Sequence, residues 1–88
     1  MKSVKWNDYG KEYDITFGEN NLTVNGLTVM VEEDPKREFV YKLYRRPAKI
    51  IAIDGVEGLE KYMSKCIDEK FCECYVEDIC KWVGMYGK

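Results

Sequence analysis

The chain has no histidine. That removes the commonest general base, the commonest metal ligand and the only side chain that titrates unperturbed near neutral pH. It also has no phosphate loop, no G-x-G-x-x-G, no nucleophile elbow and no H-E-x-x-H. No apolar stretch approaches the roughly 18–20 residues a spanning helix needs, so no membrane partner is expected. The beginning of the chain, Met1 to Asp8, is charged and holds no apolar run of signal-peptide length. No lipidation motif closes it. A cytoplasmic protein with reduced cysteines is the expectation. The formal net charge is only −2, so the charge of the whole molecule selects no partner.

What remains is an ordinary globular composition, 45% apolar and 34% charged, in 88 residues. A chain of that length supports one domain, 1–88, with a thin core. An elaborate buried active site does not fit in it. The expectation is therefore a non-enzyme that needs no cofactor.

The first half alternates as β-structure does. Tyr13, Ile15 and Phe17 share one parity. Gly18 to Asn21 is a turn, and Leu22 and Val24 follow. After Asn25-Gly26 the apolar residues are Leu27, Val29 and Val31, so the parity flips. One unbroken strand cannot do that, which makes Asn25-Gly26 a tight hairpin turn or a bulge. Asp34 to Arg37 is a turn around Pro35, and Phe39 to Arg46 a strand that ends or bends at Pro47. Ile50 to Ile53 reads as a short buried strand. The short turns favour an antiparallel meander.

At Asp54 the period changes. Asp54 and Glu57 match a capping box, and Leu59, Tyr62, Met63, Cys66 and Ile67 follow helical spacing. A second stripe, Tyr75, Ile79, Trp82, Val83 and Tyr86, lies about 180° round from the first. The phase shift predicts a break near 70–73. The predicted fold is α+β: a small antiparallel sheet of three to five strands over 12–53, followed by two helices over 57–69 and 75–84 packed on one face.

Cys66, Cys72, Cys74 and Cys80 form C-x5-C-x-C-x5-C. Structural zinc sites pair their ligands at C-x2–4-C, which this is not. On one straight helix Cys66 and Cys80 would lie about 21 Å apart. The favoured reading is that Cys66, Cys74 and Cys80 act as small buried hydrophobes, with no metal. A zinc or thiol-redox module is the alternative. The acidic pairs Glu32-Glu33, Asp68-Glu69 and Glu77-Asp78 read as solvated surface.

The charge is unevenly spread. Residues 36–49 hold Lys36, Arg37, Lys42, Arg45, Arg46 and Lys49 against Glu38 alone, a net of +5, which leaves −7 on the rest of the chain. Residues 50–88 carry eight acids against five lysines. Alternate residues of a strand share a face, so Lys42, Tyr44 and Arg46 line up. Three readings follow. The cations guard an edge strand, or Lys42, Tyr44, Arg46 and Lys49 bind a larger protein or ribonucleoprotein, or they hold single-stranded nucleic acid. Acidic helices in so small a body disfavour the last. In size, mild acidity and element order the chain resembles the small phage-encoded anti-defence proteins of anti-CRISPR type. That resemblance implies a stoichiometric protein-binding inhibitor of a larger, host-defence nuclease complex.

Overall fold

The computed structural model describes residues 2–33, 41–44 and 49–88, with 41–44 as backbone. Six strands form one sheet: β1 (Lys2–Asp8), β2 (Lys11–Phe17), β3 (Asn21–Val24), β4 (Leu27–Glu33), β5 (Tyr41–Tyr44) and β6 (Lys49–Ala52). Two helices follow, α1 (Gly55–Asp68) and α2 (Glu73–Tyr86). The α+β class and the order of sheet then helices are as the sequence predicts. No described helix is long and apolar enough to cross a membrane.

Two-residue turns close two of the three hairpins among the first four strands, and Gly18 to Asn20 closes the third. Asn25 and Gly26 sit at φ 50° and 87°, the paired positive values of a type I′ turn. This settles the parity flip: the turn resets the phase, and Leu22, Val24, Val29 and Val31 all face inward. Tyr9 and Gly10 repeat the geometry at 49° and 87° and join β1 to β2. The predicted sheet begins at residue 12 and omits β1. Only Val4 and Trp6 mark that strand as apolar, too few to set a period.

The strand order is β1-β2-β3-β4-β6-β5, and β4 pairs with β6 in parallel. The sheet is therefore mixed and not a meander throughout. The physical reason lies in the strands themselves. Ile50 and Ala52 of β6 are fully buried, and such a strand belongs inside the sheet. Among the described strands β5, antiparallel to β6, takes the edge, where its one lysine is tolerated.

Both helices cover one sheet face. Leu59, Met63 and Cys66 of α1 and Val76, Ile79, Trp82 and Val83 of α2 meet Trp6, Ile15, Leu22, Val29 and Ile50 in one core. Each fully buried aliphatic side chain contributes roughly 1.5–3 kcal/mol by leaving water. The break falls where the phase predicts. Lys70 at φ 52° and the Phe71 N–H bond to the Cys66 carbonyl (3.1 Å) close α1 as a Schellman motif. A lysine stands where glycine is usual, which is why composition gave no sign of the stop. The capping box is not formed. Asp54 is left-handed (φ 59°) and its side chain makes no cap hydrogen bond. A capping side chain reaches the helix N–H groups from extended backbone. Gly58 meets the strand end instead, since a Cβ there would lie 1.7 Å from the Ile53 carbonyl oxygen.

Candidate functional site

The sheet face opposite the helices carries no packed element among the described residues. Strand register orders its side chains into rows. Ser3, Thr16, Thr23 and Thr28 are successive partners across four strands. Their hydroxyls approach to 3.2 Å between Ser3 and Thr16 and 2.8 Å between Thr23 and Thr28. Such cross-strand pairs add about 0.2–1 kcal/mol each and keep the centre of the face polar.

The next row crosses to the β5 edge. Asn21 pairs with Met30, Met30 with Lys49, and Lys49 with Tyr44. Beside it Glu32 pairs with Ile51, and Ile51 with Lys42. Met30 is 52% exposed on the outer face of an interior strand. Ile51 is half-buried. Lys49 Nζ donates to Glu32 Oε1 at 2.9 Å, so its charge is held in place over the β4–β6 pair.

Three of the four expected binding residues, Lys42, Tyr44 and Lys49, thus come together on the β5–β6 ladder. Arg46 lies outside the described residues, as do Lys36, Arg37 and Arg45. Sequence reasoning missed Met30 and Ile51. The signal for Met30 was present, because it is apolar on the parity of Thr28 and Glu32 while Val29 and Val31 fill the other. For Ile51 no such signal exists, since it sits within a continuous apolar run.

The cysteines divide by depth. Cys66 and Cys80 are buried, Cys72 is half-buried, and Cys74 is exposed, against the expectation that it packs inside. It lies in the first turn of α2, on the side away from Val76 and Ile79. Burial pushes the Cys66 thiol up, and the Cys80 thiol to about 12. Neither supplies a thiolate nucleophile at neutral pH. Among the described residues no group of three or more cysteines and carboxylates is placed to hold a metal ion.

A cleft of about 550 Å³ lies between the sheet and the start of α1. Glu19, Glu33, Asp54, Glu57 and Glu60 line it with Lys2, which pairs with Glu60. That hydrogen bond holds the Glu60 carboxyl below the usual carboxylate range. At the opposite end of the molecule lies Asp8, near Glu77. Desolvation and the nearby Glu77 and Glu73 raise the Asp8 carboxyl. Comparison with protein-family models, curated proteins and solved structures finds no match for this chain.

Proposed function

We propose that this protein is a non-catalytic, stoichiometric protein-binding protein that docks on a larger partner through the β4–β6–β5 part of its open sheet face. The observation that carries this reading is the row Asn21–Met30–Lys49–Tyr44, with Met30 half exposed within it. An apolar side chain standing among charged and tyrosine positions on a rigid sheet has the composition of an interface anchor with a polar rim. The Glu32–Lys49 pair fixes one rim charge, and Lys42 is in register with Ile51 beside it. Fixed charges at a rim steer encounter more than they add affinity. The resemblance to phage anti-defence proteins makes the partner a host-defence complex and the outcome of docking its inhibition.

Charge reversal at Lys42 and Arg46 tests the reading. The variants associate more slowly with the partner while dissociating at nearly the parent rate. Unchanged association kinetics would reject the basic strand as part of the docking surface.

A further inference from the structure

The opposite edge of the sheet carries a second surface. β1 has one sheet neighbour among the described strands, β2. Its hairpin turn has two residues, so Asp8 and Lys11 form the closing hydrogen-bonded pair. In an antiparallel ladder the bonding direction alternates. Lys2, Val4, Trp6 and Asp8 therefore bond to β2, and the N–H and C=O groups of Ser3, Lys5 and Asn7 point off the sheet. The alternation is visible on β2 itself, where Asp14, of the opposite phase, exchanges bonds with Asn25 on the β3 side.

A groove of about 500 Å³ runs along this edge. Trp6 and Ile67 give it an apolar flank, Lys5 and Lys70 stand on it, and Asp8 and Glu73 line its turn end. Two aromatic side chains are exposed at the same end, Tyr9 completely and Phe71 by 61%. Tyr9 occupies a left-handed turn position that asparagine or glycine would fill at lower cost. Phe71 follows the Schellman lysine but does not bury itself against the helix it closes.

We infer that β1 and this groove form a strand-addition site for an extended segment of another protein, apolar at alternate positions and acidic opposite Lys5. A row of outward peptide groups is satisfied by an extended polypeptide backbone. Alternate side chains of the added strand lie beside Val4 and Trp6 and over Ile67, and the others meet Lys5. A second copy of this chain does not suit the edge. The longest antiparallel self-overlap using these outward groups sets Lys5 of one copy against Lys5 of the other, and like charges directly opposed are destabilising. This site is independent of the outer-face docking surface.

The test uses capped peptides of roughly eight residues, about one strand length, alternating Val with Glu or Val with Lys. The Val/Glu peptide slows amide hydrogen exchange at Ser3, Lys5 and Asn7 by about tenfold or more, and leaves Val4 and Trp6, already bonded, nearly unchanged. Lys5→Pro removes an edge donor that no described strand of this sheet uses. It weakens the peptide by up to about tenfold, the equivalent of one hydrogen bond. Lys5→Glu keeps the backbone and inverts the preference to the Val/Lys peptide. Met30→Glu, three strands away on β4, changes none of this. Absence of protection at millimolar Val/Glu peptide overturns the inference, as does an unchanged preference in Lys5→Glu. Concentration-dependent dimerisation through β1 without peptide would assign the edge to a second copy and overturn it equally.

Discussion

Single side chains in this molecule do work that their neighbours make specific. Gly58 is fixed by the Ile53 carbonyl oxygen, which leaves no room for a Cβ. Gly58→Ala is expected to cost roughly 1–3 kcal/mol, at the upper end because backbone must move, and thermal unfolding measures it. The cysteines separate by exposure. In native protein at neutral pH a thiol reagent modifies Cys74 first, and Cys66 and Cys80 react only once denaturant is added; early loss of all four thiols would contradict their placement. Asp8 gives a pH signature. Its folded carboxyl is raised above the ordinary 3.8 by desolvation, Glu77 and Glu73. Its stabilising contribution is complete below that ordinary value and is lost as pH rises through the raised one. Asp8→Asn therefore gains stability relative to the parent as pH climbs through that window, and melting curves across it show the gain. At this scale the sequence was only partly legible. Met30 carried a parity signal that went unread, and Cys66 was marked by its place on the helical stripe. Gly58 did not, because the oxygen that forbids a side chain there comes from a chain reversal that local pattern does not encode.

Elements were more legible than their partners. The two helices and the break between them followed from a phase shift in the apolar stripes, because a straight helix cannot bury opposite faces in one core. Local alternation identified β2 through β4, and Asn25-Gly26 marked a hairpin turn or a bulge, which the structure shows to be the turn. The exchange of β5 and β6 was hidden. Periodicity describes which face of a strand is buried, not which strand lies beside it, and the segments 34–40 and 45–48 between these strands contain the turn signals that suggested a meander. The α1 stop was located by phase without any chemical marker, since Lys70 holds the left-handed position. Lys70→Gly relieves that conformation and is predicted to stabilise the fold by about 1 kcal/mol, a rise of roughly 4–8 °C in melting temperature. A fall would contradict the Schellman assignment.

The whole molecule is a two-layer body with its surfaces divided by chemistry. Helices close one face of the sheet over the core. The other face runs from a hydroxyl-bearing centre to a charged and apolar margin at β4, β6 and β5. The acidic cleft beside α1 lies at the end of the sheet where Gly18 and Glu33 meet Gly55, and the β1 edge groove lies on the far flank from β5. Among the described residues Lys42 and Lys49 fall on the β5–β6 margin of the sheet, while most acids of 50–88 ride on the covering helices. The outer-face row around Met30 is the surface through which we propose the protein acts. Affinity capture from a cell lysate with the parent chain and Met30→Glu side by side, at matched melting temperature, tests it most directly. The account predicts one larger protein retained near one-to-one by the parent and reduced about tenfold or more by the variant, as truncating or charging an interface anchor does. Equal recovery by both chains, or nothing retained above bare matrix, would contradict it.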